Sequence, residues 1–87
     1  MNNITISKEV LAQELAGETV LLDLASESFF GLDEVSTRIW QLLKDGMGHA
    51  EVIDTLLEEY EVEREVLETD VAELLGRLSE AGLITVG

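Results

Sequence analysis

A single histidine, His49, and no cysteine are all that this 87-residue chain offers to metal or thiol chemistry. One imidazole cannot form a His–His metal pair, and without cysteine there are neither thiolate ligands nor disulfides. A Ser-His-Asp relay would have to be built around a residue that begins a helix, where a solvated or helix-start side chain is the simpler reading. Carboxylates are abundant, but Glu58-Glu59 and Glu61, Glu63 and Glu65 lack the D-x-D-x-D-G spacing of a calcium loop, and they fit solvated helix ends. Gly46 and Gly48 follow no strand and precede no Lys-Ser/Thr pair, so they make no phosphate cradle. The residues therefore predict a chain that is not an enzyme and holds no metal or cofactor.

The chemistry that remains is backbone hydrogen bonding. Residues 19–33, TVLLDLASESFFGLD, contain two short β-prone runs, a three-residue break and a terminal Asp able to start a helix. If the second run ends its sheet, its outer N–H and C=O groups are free to pair with an extended peptide. Phe29 and Phe30 are consecutive, so their side chains point to opposite faces. Phe30 shares parity with Leu32, which assigns Phe30 inward and Phe29 outward to a ligand. The competing reading is that both cover core, with help from the N-terminal segment.

These residues need elements to hold them. Val10–Leu15 (VLAQEL) fits a strand and also permits a helical turn, and Ile4 and Ile6 alternate with polar residues so as to extend or precede it. Ala16-Gly17-Glu18 is a turn. In residues 19–24, Val20, Leu22 and Leu24 share one face, and Leu21 and Asp23 the other. Ala25-Ser26-Glu27 is the next connection, and Ser28–Leu32 is the third strand. Short connections join neighbours, which predicts a three-stranded antiparallel meander. Asp33 is placed to cap a helix carrying Val35, Ile39, Leu42 and Leu43, which Gly46 terminates. A second helix over about 49–60 presents Val52, Ile53, Leu56, Leu57 and Tyr60. A third, over about 63–81, aligns Leu67, Val71, Leu74, Leu75 and Leu78 on one stripe. Gly82 then stops it, and Leu83-Ile84 return to the core. The expectation is an α+β fold in the order βββααα, a single domain over 1–87 with strands in about 10–32 and helices in about 33–81.

The formal net charge of −14 excludes some partners. Residues 1–48 hold 8 acids and 3 bases, and residues 49–87 hold 11 acids and 2 bases. Such a surface repels phosphate backbones and anionic headgroups and favours cationic partners, unless its acidity serves solubility alone. Three helices after strands invite a helix-turn-helix reading. However, the third helix carries Glu63, Glu65, Glu68, Asp70, Glu73 and Glu80 against Arg64 and Arg77, so neither DNA nor other nucleic acid is expected as ligand. No run approaches the ~18 apolar residues of a membrane span, and the first residues lack a signal-peptide pattern. A cytoplasmic location and no membrane partner are expected.

The ordered set E-T-V-L-L-D-L-x-x-x-x-F-F-G-L-D, R-I-W-Q-L-L-K-D-G, E-V-I-D-x-L, Y-E-V and D-V-x-x-L-L-x-x-L-x-x-A-G-L-I resembles the family of pyrroloquinoline-quinone biosynthesis protein D, from about Val10 to Ile84. Within it, LLDL and FFGL are most similar to the stand-alone leader-binding proteins of lasso-peptide pathways. The resemblance implies a winged helix-turn-helix-like domain, a three-stranded antiparallel sheet on three helices, that does no chemistry. It implies that the chain binds the leader of a ribosomally made precursor peptide as an added strand. The chain would then deliver that leader to a modifying enzyme or leader peptidase in natural-product biosynthesis. The leader would lie along Ser28, Phe29, Phe30, Gly31 and Leu32 and against Val66, Leu67, Asp70, Val71 and Leu74, with Asp70 as the groove-lining acid. Charge at Phe29 or Leu67 would then weaken binding and leave the fold intact. Glu73 and Arg77 are spaced as an exposed i,i+4 pair.

Three positions depart from the family pattern. Glu27 stands where glycine is usual, Asp33 where asparagine is common, and His49 where Ser or Thr opens the second helix. An alternative function is a non-catalytic docking or regulatory subunit for a folded protein. A free edge strand also permits a homodimer.

Overall fold

The computed structural model describes residues 4–86. The elements run β1 (Ile4–Ile6), β2 (Val10–Leu15), β3 (Glu18–Asp23), β4 (Ser28–Leu32), α1 (Glu34–Lys44), α2 (His49–Glu59), α3 (Arg64–Glu80) and β5 (Ile84–Val86). β2, β3 and β4 form the expected antiparallel meander, with β4 at one edge and β2 at the other. Ile4 and Ile6 do not extend that sheet. They make their own strand, which pairs antiparallel with β5, Ile6 opposite Ile84 and Ile4 opposite Val86. The βββααα unit is thus clasped by its two ends, because the return of Leu83 and Ile84 to the core places the following backbone beside the first strand. The Ser7 amide donates to the Leu83 carbonyl at 2.9 Å and continues this pairing.

Parity alone did not settle which face of β3 is buried. The face with fewer apolar residues is the inner one: Thr19, Leu21 and Asp23 are buried, whereas Val20 and Leu24 are exposed. Asp23 tolerates burial because it organises the next turn. One of its oxygens accepts from the Ala25 amide at 3.2 Å and the other from the Ser26 hydroxyl at 2.8 Å. Leu21 and Leu32 from the sheet meet Ile39, Trp40, Leu42 and Leu43 of α1, Val52, Ile53 and Leu56 of α2 and the Leu67–Val71–Leu74–Leu78 stripe of α3. This cluster is the main stabilising term, at about 1.5–3 kcal/mol for each large apolar side chain removed from water.

Local chemistry sets the element ends. The Asp33 carboxylate accepts the Ser36 amide at 2.8 Å and starts α1. Gly46 and Gly82, at φ 90° and 77°, stop α1 and α3. At the start of α2 the cap is Gly48, one residue before His49, and the Glu51 carboxylate reaches back to its amide at 3.2 Å. Arg38 of α1 ties down the far end of α2 with contacts of 2.8 and 2.6 Å to the two oxygens of Glu59. That hydrogen bond raises the Arg38 pKa and holds the Glu59 carboxyl below its ordinary value. A folded-state pKa below the unfolded one means that this contribution is present above the ordinary carboxylate range and disappears as acid protonates Glu59. Being one-third exposed, the pair contributes at most about 1 kcal/mol. An NMR titration should find Glu59 titrating below the ordinary glutamate value, and Arg38→Gln should raise it.

Glu27 shows why glycine suits its position. Its φ is 59°, in the left-handed region, so the turn before β4 keeps the glycine-type backbone while carrying a Cβ. Left-handed backbone costs an L-residue roughly 1–2 kcal/mol, partly offset by glycine's larger loss of chain entropy. Glu27→Gly should therefore stabilise the fold by roughly 0.5–1 kcal/mol, read as a higher urea midpoint at unchanged slope.

Among the described residues no helix is long and apolar enough to cross a membrane.

Candidate functional site

Because β4 is the last strand of its sheet, half of its backbone polar groups face away from β3. Its register, Thr19 opposite Leu32, Leu21 opposite Phe30 and Leu22 opposite Phe29, fixes which side chains go where. Leu21 is fully buried, so Phe30 and Leu32 point to the helices and Phe29 points away from them. Phe30 is half-buried against the core, and Phe29 keeps 74% of its surface exposed. The inward Phe30 and outward Phe29 follow as expected. The consequence is that Phe30, not Phe29, stands on the side of β4 that looks toward α3.

Among the helices, β4 packs mainly against α1. Beyond its end, α1 and α3 enclose a cleft of about 300 Å³ lined by Asp33, Val35, Ser36 and Ile39 on one wall and Asp70, Glu73, Leu74 and Arg77 on the other. On α3, Val66, Asp70, Glu73 and Arg77 recur at spacings of four, three and four residues, which puts them on one exposed stripe beside the buried one. Val66 is 53% exposed and supplies an apolar end to that stripe.

The remaining α3 residues divide differently from the sequence-based grouping. Leu67, Val71 and Leu74 have 4%, 0% and 3% of their surface exposed. Leu67 and Val71 face the core and position the helix, while Leu74 is buried and also floors the cleft. A charge at Leu67 would consequently break the fold; the expectation that it would spare the fold is corrected by this burial.

Arg77 also departs from expectation. It forms no ion pair with Glu73 among the described residues. Its guanidinium lies over the Phe30 ring, 5.1 Å from the centroid. An aromatic face attracts a cation at that distance and desolvates it less than full burial would. The contact bridges α3 and β4 at the mouth of the cleft. There, three carboxylates, Asp33, Asp70 and Glu73, share the lining of the cleft with Arg77. Asp33 is already engaged with the α1 N-terminus, whereas Asp70 and Glu73 make no ion pair among the described residues.

The opposite edge, β2, lacks such a wall. Its inward Glu14 is drawn sideways to accept from the Gln41 amide at 2.6 Å, and Ala12 and Glu14 are exposed. Among the described residues no group of acids and histidine is arranged to hold a metal ion. The arrangement offers unpaired backbone groups along β4 beside an apolar-floored, acid-rimmed cleft.

Of the residues expected from sequence to bind a ligand, Asp70 and Leu74 line this cleft, and Ser28–Leu32 is the edge strand beside it. Sequence reasoning missed Asp33, Val35, Glu73 and Arg77 as parts of one cleft. The signal for the last two was present in the helical repeat of the α3 stripe.

The family model for coenzyme PQQ synthesis protein D (PqqD) matches residues 18–84. A solved structure of TbiB1 in complex with the TbiA(beta) leader peptide is 38% identical, with a TM-score of 0.88 over 92% of this chain and 93% of that one. Lasso peptide synthetase B1 complexed with the leader peptide is 34% identical, with a TM-score of 0.85 over 95% and 98% of the two chains. No curated protein matches significantly.

Proposed function

The chain belongs to the PqqD family, described as coenzyme PQQ synthesis protein D, and from that premise we propose that it binds the leader segment of a ribosomally synthesised precursor peptide. It presents that leader to a modifying enzyme or leader peptidase and does no chemistry itself. The observation that carries this reading is the free β4 edge beside the cleft between α1 and α3. Two relatives at 38% and 34% identity, both solved as leader complexes, support it.

Binding follows from strand addition. The leader backbone pairs with Ser28, Phe29, Phe30, Gly31 and Leu32, which supplies affinity with little dependence on sequence, while its alternate side chains supply specificity. Inward side chains meet Phe30, Leu74 and Val66. Asp70 and Glu73 favour a lysine or arginine in the leader, and Arg77, once displaced from Phe30, can take a carboxylate. Leu67 and Val71 contribute by fixing α3.

Fluorescence-polarisation titration of labelled leader peptides from small open reading frames beside this gene tests the proposal. A saturable, sequence-dependent signal at micromolar strength or tighter is expected. Flat curves for every candidate, with folded protein, would contradict it. Because the rim is acidic, affinity should fall several-fold between low salt and ~0.5 M salt, as exposed charges become screened. A salt-independent affinity would remove Asp70 and Glu73 from the account.

A further inference from the structure

On a helix of about 3.6 residues per turn, Ala72, Leu75, Gly76 and Ser79 fall on the flank of α3 opposite Asp70, Glu73 and Arg77. They floor a second pocket of about 320 Å³, walled by His49 at the start of α2 and by Ile4 and Val86 of the clasped terminal strands. Two features of this pocket serve nothing inside the chain. The first is a polar atom without a partner. Among the described residues three buried side-chain polar atoms lack a hydrogen bond: Thr19 Oγ1, Trp40 Nε1 and His49 Nε2. Thr19 and Trp40 are 1% and 2% exposed and belong to the interior, whereas His49 lines the pocket. An imidazole nitrogen shut off from water and unpaired destabilises the fold, and a ligand that hydrogen-bonds to it removes that penalty. The second feature is a glycine inside a helix. Gly76 lies within α3, where glycine weakens a helix relative to alanine. Neither a left-handed φ nor a close contact demands it, since an added Cβ would meet nothing within 4 Å. The missing side chain leaves open floor in the pocket.

These features also limit what can enter. Mostly apolar walls and one shut-off nitrogen suit a compact, mainly apolar molecule with a single hydrogen-bonding group. The tautomer of His49 decides whether Nε2 donates or accepts, and a hydroxyl can answer either. A chain of net charge −14 disfavours an anionic ligand, and the same repulsion opposes a second copy of the chain. A leader paired with β4 runs along the other flank of α3. Bare backbone at Gly76 lets a flat ring approach the helix closely. We infer that this pocket binds a small, uncharged phenol, whose hydroxyl meets His49 Nε2 and whose ring lies against Leu75 and Gly76. The site is separate from the β4 edge, so the inference stands whether or not that edge takes a leader. Its occupant touches α2, α3 and both strands of the terminal clasp.

Amide-resolved NMR titration of the full chain with p-cresol, and with toluene as the matched ligand lacking the hydroxyl, tests the inference. p-Cresol should shift the amides of His49, Ala72, Gly76 and Ser79 with a dissociation constant of about 1 mM or tighter, and toluene should bind about tenfold more weakly. Gly76→Leu fills the floor and should abolish binding, while melting at or above the parent temperature because leucine favours a helix more than glycine does. Ala72→Leu narrows the same floor and takes its place if Gly76→Leu does not fold. His49→Phe keeps a ring but removes the nitrogen, so p-cresol and toluene should become equal ligands. Shifts that never saturate, or that centre on another surface, would overturn the inference. Equal affinity for the two probes in the parent would do the same, as would parental p-cresol affinity in the folded pocket-filling variant or a retained preference for p-cresol in His49→Phe.

Discussion

Leu67→Asp should leave no folded domain in which a groove could be assayed. Leu67 is 4% exposed and packs in the cluster that joins α3 to the sheet and to α1. The substitution removes a large apolar side chain and buries a carboxylate with no partner. Leucine truncation alone costs about 2–5 kcal/mol and an unpaired buried polar group several more. A domain of this size sits toward the lower end of the usual ~5–15 kcal/mol of stability. The cooperative thermal transition in circular dichroism should be lost at 25 °C. A variant that melts near the parent temperature would mean that α3 is seated differently from the structure described.

The second large effect belongs to binding. Phe30→Ala should weaken the leader by about thirtyfold, because a central aromatic anchor typically carries 2 kcal/mol or more and each 1.4 kcal/mol is tenfold. Removing the ring also releases Arg77 from its stacked position. The fold should survive, since Phe30 is half-buried at the margin of the core. Asp70→Lys serves as a companion with no effect on packing, because Asp70 is exposed and in no ion pair among the described residues; it should weaken a basic leader and spare a neutral one. Polarisation titrations check both. Equal leader affinity in parent and Phe30→Ala, with the fold intact, would move the leader away from this side of β4.

Much of the scaffold was legible because its signals are local. Asp33 as an N-cap, Gly46 and Gly82 as helix stops, and the α3 stripe all follow from residue type and spacing over a single turn, and each forms as the pattern predicts. The pairing of β1 with β5 was not legible, because it joins residues at opposite ends of the chain and three-residue strands carry almost no period-two signal. The buried face of β3 was misleading for a different reason. Val20, Leu22 and Leu24 form the more hydrophobic set, yet they lie on the side without helices; Asp23 goes inward because the turn satisfies it. Parity separates two faces but does not say which one the helices cover. Arg77 was missed because i,i+4 spacing suggests Glu73, while its partner, Phe30, lies 47 positions away in sequence.

The central claim is that β4 is the edge to which a leader peptide adds. Amide hydrogen exchange, read residue by residue with and without a saturating labelled leader from a neighbouring open reading frame, tests it most directly. Alternate amides of Ser28–Leu32, those directed away from β3, should become protected on binding, while those of β2 stay unchanged. Protection confined to Val10–Leu15, or binding with no new protection along β4, would contradict the account.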